Sequence, residues 1–301
     1  MHGADLSFLL SRPRPLVLDG AVGTELARRG IPTTTPLWSA HALFSDEGLR
    51  TLAAIHADYA RAGAEVLVTN TFRTTLRALE AAGRGADWRR ANELAVECAR
   101  EGASESDGSC LVAGSIAPLE DCYSPNRVPP EATCLVEHRR QVRLLAELGV
   151  DLIWIETMNA RREALAATVA AKESGLDFVV SLCPKPPEHL LSGEALAGVV
   201  DEIVAAAGAG LRALLINCAA PEELEAIFPR FASLAPGVPH GLYAHLGERD
   251  EAVGWRLPAR HDPLRYADWA VRRVGEGARL LGGCCGTTPD HVAALRRAVD
   301  A

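Results

Sequence analysis

Eight short apolar runs rich in Val, Ile and Leu, separated by longer amphipathic stretches, constrain this chain more than any other feature of its sequence. The runs are Pro15–Gly20, Glu65–Asn70, Cys110–Ile116, Asp151–Thr157, Asp177–Leu182, Ala213–Ala219, Gly241–Leu246 and Arg279–Cys284. Apolar residues recur at helical spacing over Glu47–Ala62, Thr74–Ala82, Trp88–Glu105, Thr133–Leu148, Ala160–Ser174, Ser192–Ala207, Pro221–Ala235, Pro263–Glu276 and Pro289–Val299. Alternating strand and helix produces a parallel sheet, because parallel neighbours are joined only through a crossover. The runs are continuously apolar, as expected of strands covered on both faces. Eight strands with intervening helices fit a (β/α)8 TIM barrel more economically than an open doubly wound sheet, since no strand and no second composition regime is left over. The expected class is α/β, with residues 1–301 forming a single barrel domain.

Composition narrows the partners. The formal charge is -8 and no stretch clusters Lys and Arg, so a row of phosphates would find no complementary surface and nucleic acid is not expected. The segment Met1–Pro15 has only the short apolar patch Leu6–Leu10 and no basic start, unlike a secretory signal. No apolar run approaches the roughly 20 residues that span a bilayer. Eight irregularly spaced cysteines without an export signal read as reduced thiols, which points to the cytoplasm. The expected partners are small molecules.

The polar residues that end the apolar runs are the candidates for chemistry. Asp19-Gly20, Thr69-Asn70-Thr71, Gly114-Ser115, Glu156-Thr157, Asn217-Cys218 and Gly282-Gly283-Cys284-Cys285-Gly286 all stand where a run stops. In a barrel the C-terminal strand ends surround one mouth, so residues remote in sequence converge there. The Pro-rich pieces Ser124–Pro130 and Pro184–His189 and the polar segment Gly247–Pro263 read as mouth loops.

Neighbouring residues on a strand point to opposite faces, so Cys284 and Cys285 can bind one ion only if the backbone leaves the strand there. The flanking glycines permit that departure. Cys218, ending the sixth run, supplies a third thiolate. Three cysteines and one exchangeable position describe an open zinc site, and a fourth protein ligand would describe a structural one. Thiolate-rich zinc suits alkyl transfer to a thiol, because metal binding deprotonates a thiol that is otherwise only a few per cent ionised at neutral pH. The other cysteines, Cys98, Cys110, Cys122, Cys134 and Cys183, read as core residues or as having no role. Thr287-Thr288-Pro289-Asp290 reads as a helix start that fixes where the thiolates point.

Asp19-Gly20-Ala21-Val22-Gly23-Thr24-Glu25, Thr69-Asn70-Thr71-Phe72, Ile155-Glu156-Thr157, Ile216-Asn217-Cys218 and Gly282 through Pro289 together resemble the homocysteine S-methyltransferase family, in order, from about Leu16 to Val299. The resemblance implies a barrel core over about 16–299, with zinc on Cys218, Cys284 and Cys285, which are also its catalytic residues. It further implies that Asp19, Gly20, Thr69 and Glu156 bind the amino-acid end of homocysteine. Carboxylates suit the ammonium, and a backbone N–H and a threonine hydroxyl suit the carboxylate.

The family's methyl donors differ, being sulfonium compounds, a betaine, or methyltetrahydrofolate through a corrinoid protein. Pro36–Ala40 and the stretch from His56 to Thr71 resemble the stand-alone branch that uses S-methylmethionine or S-adenosylmethionine, whereas Gly286-Thr287-Thr288-Pro289 also resembles the homocysteine domain of cobalamin-dependent methionine synthase. A sulfonium donor is expected first, with a betaine or corrinoid-linked donor, or a related thiol or selenol as acceptor, as the alternatives. Two segments depart from that branch, Ile116-Ala117-Pro118-Leu119-Glu120 and Tyr243-Ala244-His245-Leu246-Gly247-Glu248. His245 and Trp38 read as packing residues before donor contacts. A non-catalytic zinc barrel, a corrinoid-linked subunit and a zinc hydrolase are the rival readings; the hydrolase is disfavoured by a ligand set so rich in sulfur.

Overall fold

The computed structural model describes residues 5–106, 110–250, 254–256 and 262–301. Eight parallel strands form one sheet: β1 (Leu16–Val17), β2 (Val66–Val68), β3 (Leu111–Ile116), β4 (Leu152–Met158), β5 (Phe178–Leu182), β6 (Leu211–Asn217), β7 (His240–Ala244) and β8 (Ala278–Gly283). From β2 to β8 each strand pairs with the next, and β8 pairs with β1. The ring is joined between β1 and β2 by a parallel bridge, Leu18 to Val66, with Glu65 N donating to Val17 O at 2.8 Å and Asp19 N to Val66 O at 3.1 Å. The expected (β/α)8 barrel is present.

The helices are α1 (Leu6–Ser11), α2 (Val22–Arg28), α3 (Asp46–Arg61), α4 (Leu76–Ala81), α5 (Trp88–Ala103), α6 (Glu131–Glu147), α7 (Arg161–Ser174), α8 (Leu196–Ala207), α9 (Pro221–Phe231), α10 (Pro263–Arg272) and α11 (Pro289–Asp300). The sequence pattern omits α1 and α2. The hairpin Pro184–Lys185 with His189–Leu190 occupies one expected mouth loop. In the expected loop from Gly247 to Pro263, backbone pairs 248–250 with 254–256; residues 251–253 and 257–261 lie outside the described ones.

Side-chain alternation on the strands builds two apolar layers. Leu16, Leu18, Leu152, Trp154, Ala213, Leu215 and Leu280 fill the barrel interior. Val17, Ile153, Ile155, Leu214, Ile216 and Leu281 face the helices. Period-two geometry then decides what each strand end offers: Glu156 continues the inward series of Leu152 and Trp154, and Asn217 continues that of Ala213 and Leu215. At the opposite end, buried Glu65 accepts two 2.8 Å bonds from Arg14 and lies 3.1 Å from Arg296.

Candidate metal centre and substrate cavity

Continuing β6 in regular geometry would turn Cys218 toward the helices, since Leu214 and Ile216 face that way. Cys218 instead adopts φ +59, a left-handed conformation that swings it over the barrel mouth. Asn217 supports the turn. Its Oδ1 accepts from Thr157 N at 3.1 Å and from Ser181 Oγ at 2.7 Å, while Nδ2 donates to Thr157 Oγ1 at 2.9 Å. Thr157 is itself left-handed, at φ +59.

β8 ends at Gly283, and Cys284 and Cys285 sit in the following turn, as their adjacency requires. Gly286 closes that turn at φ +87. Gly283 acts differently, by close approach: a Cβ there would fall 2.2 Å from Thr287 Oγ1. That hydroxyl donates to Cys284 O at 2.8 Å and accepts from Ala21 N at 3.2 Å, so the turn is locked to the chain after β1. Thr288 N-caps α11, as expected. The outcome is that the Sγ atoms of Cys218, Cys284 and Cys285 lie within 4.8 Å of one another. Their proximity couples them: Cys218 and Cys285 hold the Cys284 thiol well below its usual range, and Cys284 pushes Cys218 up.

A buried carboxyl, Asp19, and a half-buried one, Glu156, share the mouth with the sulfurs. Glu156 accepts a short hydrogen bond from Ser115 Oγ, yet burial pushes its pKa up to about 8, with the nearby Cys284 adding to the rise. Asp19 is pushed well above the usual carboxylate range by burial, despite 2.8 Å donation from Val68 N, and Glu156 contributes. Such a pair gains from a cationic guest. Thr69 is nearby, but its proton is committed. Thr71 Oγ1 donates to Ser115 O at 2.8 Å, so the 2.8 Å contact between the two threonine hydroxyls runs from Thr69 to Thr71. Thr69 Oγ1 also accepts from Ser115 N at 3.1 Å, which leaves an acceptor lone pair for a guest.

These groups line a cavity of about 230 Å³ together with Gly20, Trp38, Phe72, Cys122, Tyr123 and Tyr243. Trp38 and Phe72 meet edge to face, with ring centroids 5.6 Å apart. Asn70 Nδ2 holds the Trp38 segment by donating to Ser39 O at 3.0 Å. His245 is not among the lining residues, although Cys284 lies close enough to influence its ring. Cys183 packs behind Cys218, with Sγ 3.9 Å from its carbonyl oxygen. Cys122, read from sequence as a packing residue, proves to be a wall of the cavity as well as buried. Tyr123 was missed entirely, and its Oη lies 2.8 Å from Cys218 Sγ. The signal was its place in a loop after β3 that departs from the stand-alone pattern.

A barrel that gathers three thiols beside an amino-acid-sized, mostly apolar cavity carrying two carboxyls defines an enzyme suited to chemistry on sulfur. The homocysteine S-methyltransferase family model matches residues 16–299. Homocysteine S-methyltransferase from Escherichia coli K12 is 33% identical, covering 97% of this chain and 97% of that protein. Selenocysteine methyltransferase from Astragalus bisulcatus is 28% identical, with 95% and 92% covered. The metallated structure of the homocysteine methyltransferase MmuM from Escherichia coli aligns with a TM-score of 0.82 at 30% identity, covering 96% of this chain and 98% of that one. The chain belongs to the homocysteine S-methyltransferase family and is a methyltransferase.

Proposed function

We propose that the chain transfers a methyl group from a sulfonium donor, S-methylmethionine or S-adenosylmethionine, to the thiol of homocysteine, giving methionine, with zinc held by Cys218, Cys284 and Cys285. The observation that carries this reading is the meeting of three sulfurs within 4.8 Å in a cavity that also holds the carboxyls of Asp19 and Glu156. The cluster fits the ion: tetrahedral zinc at about 2.3 Å from sulfur needs ligand sulfurs roughly 3.8 Å apart, which is inside the observed spacing. An all-thiolate set selects a soft or borderline metal over magnesium or calcium. Bound there, zinc would supply the Lewis acidity that deprotonates an incoming thiol at neutral pH.

The remaining chemistry falls to the chain's own groups. Asp19 and Glu156 receive the substrate ammonium, which restores their ionised forms. Thr69, whose proton is already given to Thr71, adds an acceptor on the same side, a change from the carboxylate role expected of it. The Gly20 backbone takes the carboxylate. Trp38 and Phe72 offer ring surfaces to a sulfonium cation. The substrate sulfur forms the new S–CH3 bond as the bond from that methyl to the donor sulfur breaks, and the donor leaves as a neutral thioether.

The test is a donor panel with homocysteine, read out as methionine. Both sulfonium compounds are expected to be tried against betaine, with methionine forming only from a sulfonium. Selenocysteine belongs in the same panel as acceptor, because a selenocysteine methyltransferase is among the relatives. Cys218→Ser, Cys284→Ser and Cys285→Ser should each bring turnover to background and release the metal, while Cys183→Ala keeps both. Turnover surviving in the serine variants would refute the assignment.

A further inference from the structure

The three cysteines present a selection problem that the proposed function leaves open. A site made of protein thiolates plus a substrate thiolate holds four similar nucleophiles around one methyl donor, and only one of them should be methylated. Something must make the protein sulfurs poorer nucleophiles than the guest.

We propose that Tyr123 is a positioning residue that protects Cys218 from alkylation: its phenol donates a hydrogen bond to Cys218 Sγ and leaves the incoming sulfur the more electron-rich. This rests on the reading of Cys218 as a metal ligand. The contact is 2.8 Å between Tyr123 Oη and Cys218 Sγ, and the two residues are 95 positions apart in sequence, so tertiary structure alone creates it. Its direction follows from chemistry. A cysteine bound to metal has lost its proton and can only accept, whereas a phenol with an ordinary pKa of about 10 keeps its proton at neutral pH. Hydrogen bonds to an ionised acceptor withdraw charge from it and are stronger than neutral ones.

The loop carrying Tyr123 is held firmly enough to aim the hydroxyl. Leu119 N donates to the buried Glu163 Oε1 at 2.8 Å, and Asn159 Nδ2 donates to Cys122 O at 2.7 Å. Asp121 then closes a tight turn around the tyrosine itself, accepting from Tyr123 N at 3.2 Å and from Ser124 Oγ at 2.8 Å.

Tyr123→Phe removes one oxygen and keeps the ring and every loop contact named above. Wild type and variant are compared as cobalt(II)-substituted proteins, with metal content measured first, then the sulfur-to-cobalt charge-transfer band, then iodoacetamide labelling without homocysteine. In labelling, the Cys218 sulfur forms a bond to the reagent's carbon and iodide leaves. The variant should keep its metal, show the band at lower energy, and label at Cys218 roughly three- to tenfold faster, the scale of one hydrogen bond. Unchanged band and labelling would overturn the inference. Loss of metal from Tyr123→Phe alone would also overturn it, by making the phenol a ligand. A wild-type protein that takes up no cobalt would instead sink the metal reading, and this inference with it.

Discussion

At the residue scale, Glu156 connects the site to solution behaviour. Its folded pKa of about 8 stands above the ordinary 4.5, so the folded state holds this proton more tightly than the unfolded one. The linked stability is fully present below pH 4.5 and is lost as pH rises through about 8. Glu156→Gln keeps the shape and removes the titration. Thermal melts of ligand-free protein across that window should therefore show the variant gaining on wild type as pH increases; parallel curves would show that Glu156 does not hold its proton as described. If Glu156 receives the substrate ammonium as proposed, the same variant removes a charge-assisted partner, and the KM for homocysteine should rise roughly ten- to a hundredfold. Cysteine identity was legible at this scale, since Cys284 and Cys285 stand in a glycine frame at a strand end. The state of Thr69 was not. Only the positions of Thr71 and Ser115 show that its proton is already committed.

At the scale of elements, the site depends on how strands stop. Cys218 and Thr157 both take φ +59, and Asn217 bonds the backbone and hydroxyl of the latter. Asn217→Ala leaves Thr157 N and Ser181 Oγ without that acceptor, so a loss of about 1–3 kcal/mol is expected, together with weaker metal retention; urea unfolding and a chelator competition measure the two. Gly286→Ala places a side chain at φ +87, with an expected cost of about 1–2 kcal/mol. The strand runs were readable because each is apolar on both faces, and their observed ends fall within a few residues of expectation. What the pattern could not carry was local and tertiary. Helix α2 is two turns long and holds Gly23, and the loop bearing Cys122 and Tyr123 reaches the sulfurs only because Asn159 and Glu163 draw it inward.

At the scale of the whole molecule, a metal on Cys218, Cys284 and Cys285 would cross-link the ends of β6 and β8, which are separated by β7 in the ring. A ligand that binds only the folded chain stabilises it, by about 2.7 kcal/mol at a hundred times its Kd. Zinc should thus raise Tm in wild type and leave the triple serine variant unmoved, as scanning calorimetry would register. No described helix is long and apolar enough to cross a membrane, and all eight cysteines are free thiols. The barrel class followed from counting strand and helix units; the cavity did not, because it is assembled from the ends of strands and loops throughout the chain. X-ray absorption at the zinc edge, before and after adding homocysteine, bears most directly on the central claim. The account predicts three sulfur neighbours per zinc in the protein alone and four once the substrate thiol is present. A sulfur count that stays the same, or a shell already filled by four protein atoms, would contradict it.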